Sequence, residues 1–243
     1  MTVTLYRVGG SVRDELMGLR SKDVDYAVSV SGCGARTVED GYAAMADWMR
    51  VNGFTVWLET PQYVTIRARF PVGQEHGGQT ADFTLCRREG PYSDGRRPDW
   101  VELGTIDDDL ARRDFTVNAI AVCEDGAIVD PHRGQDDLER GVLRCVGSAT
   151  HRLTEDALRA LRAVRFQVTR GLTWDAELAT AMRSDWLPPL LSSISIERRR
   201  EELRRAFMHD TIKTLAVLEH QVTPEFVRCA LAGGIRLEPT IKE

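Results

Sequence analysis

Nowhere does the 243-residue chain approach the roughly 18 consecutive apolar residues that a membrane-spanning helix needs. Its first ten residues, MTVTLYRVGG, lack both the basic flank and the apolar run of a secretory signal. Cysteine is sparse and dispersed: Cys33, Cys86, Cys123, Cys145 and Cys229, none in CxxC spacing. An odd, scattered set argues for reduced thiols in a cytoplasmic setting, against a disulfide framework or a zinc ribbon. Internal repeats and low-complexity tracts are missing too. Nor is there a basic excess, since 32 Lys and Arg face 37 Asp and Glu for a net charge of −5. Charge alone therefore gives no footprint of a nucleic-acid partner. The average hides an uneven distribution, however. Asp107–Asp109 and Asp136–Glu139 offset a run of arginines between Arg159 and Arg205, so an acidic chain can still carry one basic face.

What is present is a globular composition, 42% hydrophobic and 28% charged. The length suits one large domain, or a catalytic domain with a small helical appendage. Residues 3–8, 24–30, 54–58, 64–70 and 82–87 read as strands, with helices over 11–17 and 37–51. Segments 71–80 and 89–99, rich in Gly and Pro, read as loops. A short helix over 114–121 and a hairpin through Asp125-Gly126 follow. Beyond Leu153 nearly everything reads as helix: 155–170, 175–185, 196–208, 210–220 and 224–232. The expectation is an α+β chain, a mixed sheet-and-helix head over 1–145 and an all-helical neck over 146–243.

Four segments carry chemistry. Gly9-Gly10 lies between a strand and a helix, where a bare backbone can approach a phosphate; a purely structural turn is the plainer reading. Asp23 and Asp25 lie two apart on a strand and so share a face, the spacing of hard oxygen ligands for Mg²⁺. Asp82, heading a later strand, completes a three-acid cluster for two metal ions if that strand lies alongside; alternatively it is a loop-edge cap. In Arg112-Arg113-Asp114-Phe115-Thr116-Val117-Asn118, Arg113 offers a planar fork for a triphosphate, or an ion-paired helix start. Asp156 and Arg159, at i and i+3, should meet on one helix face. An acceptor beside a donor fork can read the amine-and-acceptor edge of cytosine or adenine, or simply form a surface ion pair. Arg198, Arg199, Arg200, Arg204 and Arg205 are interleaved with Glu197, Glu201 and Glu202, giving either a solvated face or an RNA-backbone contact.

In order, the stretches YRVGGSVRDELMG, KDVDYAV, DDDLARRDFTVNAIA, IVDPHRGQDDLERGVLRCVG and EDALRALRAVRF resemble the class II tRNA nucleotidyltransferases, the CCA-adding enzymes, within the polymerase-β-like superfamily. Bacterial poly(A) polymerases share nearly all of these stretches. The resemblance implies a polymerase-β-like head with a helical neck, a short form without body and tail domains, for which an oligomer or helper subunit is conceivable. It implies template-independent addition of C and A to a tRNA 3′ end from CTP and ATP, with two Mg²⁺ ions and release of pyrophosphate. Poly(A) synthesis, addition of only C or only A, and an idle RNA-binding remnant are the alternatives. Carried over by residue, it assigns Gly10 and Arg13 to nucleotide binding, Asp23 and Asp25 to metal, and Arg113 to the triphosphate. Asp156 and Arg159 fall at the base-reading positions, with Arg162 and Arg165 as further nucleotide contacts. Asp82 stands where relatives commonly carry Glu, and Ala157 where they frequently carry Pro.

Overall fold

The computed structural model of the chain describes residues 1–21, 24–32, 34–73, 76–235 and 237. Asp23 and Cys33 lie outside the described residues. Contacts divide the chain into two units: 1–90, 98–113 and 117–135 form the first, and 91–97, 114–116 and 136–243 the second.

In chain order the first unit contains β1 (Thr2–Val8), α1 (Gly10–Leu16), β2 (Asp25–Ser31), α2 (Val38–Val51), β3 (Thr55–Thr60), β4 (Thr65–Arg69) and β5 (Thr80–Leu85). A ribbon of β6 (Arg87–Glu89) and β7 (Val101–Leu103) follows, then α3 (Ile106–Ala111) and the hairpin of β8 (Ala121–Cys123) and β9 (Ile128–Val129). Seven strands form one sheet in the order β3-β4-β5-β2-β1-β8-β9. The β2–β5 pair is parallel and its other neighbours are antiparallel, so the sheet is mixed, as expected.

Period-two burial sets the faces. Tyr26, Val28 and Val30 of β2, Ile66 and Ala68 of β4, and Phe83 and Leu85 of β5 point to one side. There they meet Val38, Tyr42, Met45, Ala46 and Met49 of α2, spaced at three and four residues as one helix stripe. A capping box fixes where α2 starts: Thr37 accepts from the Asp40 amide and Asp40 accepts from the Thr37 amide. At Gly41 the leucines pack directly on the helix backbone, since a Cβ there would come 2.7 Å from Leu103 Cδ1 and 3.1 Å from Leu85 Cδ2. Phe83 anchors an aromatic cluster, stacked on Tyr26 at 5.2 Å and edge-on to Phe54 at 5.5 Å.

The second unit takes over within α4 (Gly134–Glu139), then continues through β10 (Val142–Leu143), α5 (Ala149–Glu155), α6 (Leu158–Arg170), β11 (Thr173–Trp174), α7 (Ala176–Met182), α8 (Leu187–Ser193), α9 (Ile196–His209), α10 (Thr211–His220) and α11 (Pro224–Leu231). It is helical but for the parallel β10–β11 pair. Its core centres on α6, whose Leu161, Val164 and Phe166 are buried. Trp174 joins them by donating from Nε1 to the Ala163 carbonyl at 3.2 Å.

Three expectations are corrected. Segment 114–121 forms only a 3₁₀ turn, Thr116–Asn118, because its amides find other partners: Phe115 N bonds the Asp114 carboxylate and Thr116 N the Arg144 carbonyl. The helix expected over 155–170 breaks at Asp156, whose carboxylate accepts from the Leu158 amide at 3.0 Å and so competes with helix continuation. The stretch between the helices expected over 175–185 and 196–208 is itself helical: Trp186 caps α8, where Pro188 and Pro189 suit the first turn.

The arginine run on α9 is also corrected. Arg199 is buried, 6% exposed, and donates to the carbonyls of Ile194 at 3.1 Å, Cys229 at 2.6 Å and Ala230 at 3.2 Å. It satisfies the last carbonyls of α8 and α11 and has no face for RNA. Replacing Arg199 by Ala leaves those carbonyls unsatisfied and should cost about 1–3 kcal/mol. Ala at exposed Arg200 or Arg205 should move stability by no more than about 0.5 kcal/mol. Denaturant titration of the three variants checks this, and equal losses would contradict it.

Candidate active site

The sheet face away from α2 gathers the charged residues. β2 and β5 pair in a register that sets Asp25 directly beside Asp82, about 4.8 Å apart between strands and on one side of the sheet. Asp82 in turn faces Arg67 on β4. The Arg67 fork grips both Asp82 carboxylate oxygens, each at 2.7 Å. Gly9, at the start of α1 with φ 73°, lies against this cluster: a Cβ there would sit 3.1 Å from Arg113 Nη1 and 3.8 Å from Asp25 Oδ2. Glycine at this point is therefore required twice, by its left-handed backbone and by the approach of a cation and an anion. Arg113 and Asp25 converge where the backbone is bare.

Arg113 is held from behind. Its Nε and Nη2 donate to Asp109 Oδ2 at 3.2 and 2.8 Å, and Nη1 to the Asn118 carbonyl at 3.2 Å. Asp109 is fully buried and also accepts two bonds from Arg112 through Oδ1, at 3.0 and 2.5 Å. Arg112 reaches on to Glu89 at 3.4 Å. Burial pushes the Asp109 carboxyl up, but Arg112 and Arg113 outweigh it and hold it below the ordinary carboxylate range. Arg13 belongs to the same scaffold. It is 5% exposed, donating to Asp14 Oδ1 at 2.9 and 2.6 Å and to Asn118 Oδ1 at 2.6 Å. Its fork is spent on Asp14 and on Asn118, the residue that also orients Arg113. Asn118 thus links the two arginines, accepting from Arg13 at its side chain and from Arg113 at its carbonyl.

In the second unit, Asp156 and Arg159 do not lie in one helix as expected. Asp156 precedes α6 in extended backbone and bonds Arg198 at 2.6 Å. Arg159 donates to Glu155 at 2.5 Å and to the Arg152 carbonyl at 3.1 Å. The helix break separates the two side chains' partners while leaving the residues one turn apart. Farther along α6, Arg162 bonds Asp114 at 2.7 Å, and that carboxylate raises its pKa. Arg165 bonds Glu202 at 2.5 Å and lies over the Phe166 ring at 4.4 Å, and burial lowers its pKa. On α9, Arg204 and Arg205 both share Glu201, at 3.1 and 2.7 Å, and Arg200 is exposed.

Asp25 and Asp82 are hard oxygen donors side by side, and that donor chemistry fits a divalent cation. Among the described residues no third His, Cys, Asp or Glu joins them in a metal-binding group. Asp23, the expected partner of Asp25, lies outside the described residues. A cavity of about 490 Å³, lined by Arg7, Tyr26, Trp48 and Phe70 among others, opens on the opposite face of the sheet. Sequence reading missed Asp109 as the organiser of this site. The signal was available: Asp109 stands three and four residues before Arg112 and Arg113, the spacing that brings helix side chains together.

Asp109→Asn removes the charge but keeps the shape, taking from partly buried Arg113 its carboxylate partner and leaving Arg112 with Glu89, at a cost of about 3–5 kcal/mol. Because the folded carboxyl titrates below its unfolded value, near 3.9, its contribution is fully present above that value. It fades as pH falls through the lower folded value. The stability gap between wild type and variant should therefore be constant from pH 7 to about 5 and narrow below pH 4. Urea titrations across that range measure it; a gap that widens in acid would contradict the sign.

Comparison with known proteins places these features in a family. Residues 5–144 match the family model for the poly A polymerase head domain. A CCA-adding enzyme of Leuconostoc mesenteroides is 36% identical over 204 residues, 84% of this chain and 45% of the relative. One from Streptococcus pneumoniae is 39% identical over 194 residues, 79% of this chain and 43% of the relative. The crystal structure of the Bacillus stearothermophilus CCA-adding enzyme in complex with CTP superposes with a TM-score of 0.66 at 31% identity, covering 95% of this chain and 48% of that one. The chain thus spans about half the length of the relatives it matches. By the match over residues 5–144, with a mixed sheet that carries Asp25 and Asp82 and with Arg113 beside Gly9, the chain belongs to the poly A polymerase head domain family.

Proposed function

We propose that this chain is a template-independent nucleotidyltransferase that adds C and A to the 3′ end of tRNA from CTP and ATP, releasing pyrophosphate. The observation that carries this reading is the shared sheet face of Asp25 and Asp82, with the Asp109-held Arg113 beside Gly9. Two Mg²⁺ ions, bound by Asp23 and Asp25 with Asp82 adjacent, would supply hydroxyl activation and charge neutralisation of the leaving pyrophosphate. Arg113 lies pre-oriented for the triphosphate, so its fork is positioned before substrate arrives. Gly9 and Gly10 keep side chains out of that approach. Arg13 acts as a positioning residue, through Asn118.

Base choice falls to Asp156 and Arg159. Asp156 accepts from an exocyclic amine while Arg159 donates to the neighbouring ring acceptor, a pattern met by cytosine and adenine and failed by uracil and guanine. Arg198 and Glu155 hold the two readers by separate contacts. Arg162 and Arg165 supply further positive charge along α6. Exposed Arg200 and Arg205, with half-buried Arg204 between them, serve the RNA backbone, tempered by Glu201. Dispersed thiols, unpaired among the described cysteines, accord with work in a reducing cytoplasm.

The test is purified chain, Mg²⁺, tRNA lacking its CCA end, and each labelled NTP separately. CTP and then ATP should be incorporated, with UTP and GTP rejected. Repeated ATP addition without CTP would favour poly(A) synthesis, the reading suggested by the family's name. No incorporation of any nucleotide would overturn both. Asp25→Ala should abolish transfer with an unchanged circular dichroism spectrum. Arg159→Ala should lower selectivity over UTP and GTP by about 1–3 kcal/mol; unchanged ratios would remove α6 from base reading.

A further inference from the structure

The face that bears Asp25 and Asp82 continues, strand by strand, to the edge of the sheet. Asp25 on β2 is in register with Asp82 on β5, Asp82 with Arg67 on β4, and Arg67 with Leu58 on the edge strand β3. At that edge the register shifts between Val56 and Leu58. A regular pleat would send one of two consecutive side chains into the α2 core. The bulge instead leaves both Trp57 and Leu58 outside, 58% and 53% exposed. Arg69, two residues from Arg67 and on the same face, lies with its Cζ 5.2 Å from the Trp57 ring centre. Among the described residues no carboxylate pairs with Arg69. Hydroxyls of Thr65 and Thr84, bonded to each other at 3.0 Å, line the same face. An indole turned outward by a bulge and the Arg69 guanidinium over it combine a base-stacking surface with phosphate-binding charge, while Arg67 inboard is held by Asp82.

We propose that the β3–β4 face around Trp57, Arg67 and Arg69 is a platform for the single-stranded 3′ end of the RNA that receives the nucleotide. This rests on the nucleotidyl-transfer reading above and adds to it the acceptor strand's subsite. From Asp25 to β3 is three strand spacings, roughly 14 Å, within reach of the last few nucleotides of a strand whose terminal hydroxyl lies at the carboxylates. Trp57 stacks a base, which is tolerant of sequence because every base has a π-face. Arg69 meets the adjoining phosphate while remaining over the indole. Arg69, with no carboxylate partner among the described residues and set over the indole, favours a polyanion over an apolar peptide, which would gain nothing from that guanidinium.

The test measures binding apart from chemistry. A fluorescein-labelled single-stranded RNA octamer ending in CC is titrated with the whole chain, without NTP, at several salt concentrations. Trp57→Ala should weaken binding about tenfold, and Trp57→Phe should restore most of it. Arg69→Glu should weaken binding and reduce the salt slope by about one. Tyr63→Ala, at a similarly exposed aromatic in the turn that precedes β4, should leave affinity unchanged. In the transfer assay, Trp57→Ala should raise KM for the RNA and leave KM for CTP unaltered. Equal affinity of Trp57→Ala, Arg69→Glu and wild type, or no binding of the octamer by wild type, would overturn the platform. RNA binding that depends on Trp57 without any nucleotide transfer would overturn the proposed function and leave the platform standing. Transfer with an RNA KM indifferent to Trp57 would do the reverse.

Discussion

The buried carboxylate of Asp109 is the interaction on which the first unit's site depends. A lone carboxylate at zero exposure would be driven to its neutral form. Here two guanidinium forks approach it from consecutive residues, so the ionised form persists and both arginines are fixed in direction. Arg112 ties the pair to Glu89, and Arg113 ties it to the Asn118 carbonyl. Through Asn118 the network reaches Arg13 and Asp14 at the start of α1. Gly9 then brings the backbone of α1 against Arg113 and Asp25. Thus one acid, buried where no water can compensate it, orients the cation that faces the exposed carboxylates.

The second unit uses its arginines in the same manner. Arg159, Arg162 and Arg165 recur every third residue along α6, and each has its own acid: Glu155, Asp114 and Glu202. Three like charges on one helix face would repel one another. Pairing removes that cost and fixes each fork. It also explains how a chain of net charge −5 can present guanidinium groups in order. The acids are spent locally, and the global sum says little about any one face.

The strands and the spacing of the main motifs were legible because they are periodic or local, whereas the pairing of β2 with β5 stood only as a condition until the register showed it. Alternation set the faces of β2 and β5, and the i,i+3 and i,i+4 rules set α2. Sequence failed where a residue's partner is distant. Arg199 looked like one of five surface arginines, yet it closes α8 and α11 because the bare carbonyls of Cys229 and Ala230 lie in its path. Asp156 looked like a helix residue paired with Arg159, yet its own carboxylate bonds the Leu158 amide and its partner is Arg198, 42 residues on. Segment 114–121 had helical spacing, but tertiary bonds to Arg144 and Cys145 took its backbone groups. Trp57 gave no signal at all, since a bulge depends on pairing with β4 and leaves no mark in composition.

The most direct measurement of the account is a double-mutant cycle on CTP affinity, using wild type, Asp109→Asn, Arg113→Ala and the double variant. If Asp109 acts on the triphosphate only by holding Arg113, then once Arg113 is gone the loss of Asp109 costs nothing further. The double variant should then bind CTP no more weakly than Arg113→Ala alone, a coupling well above the error of additive sites. Losses that simply add would show that Asp109 and Arg113 act independently, and the proposed organisation of the site would be wrong.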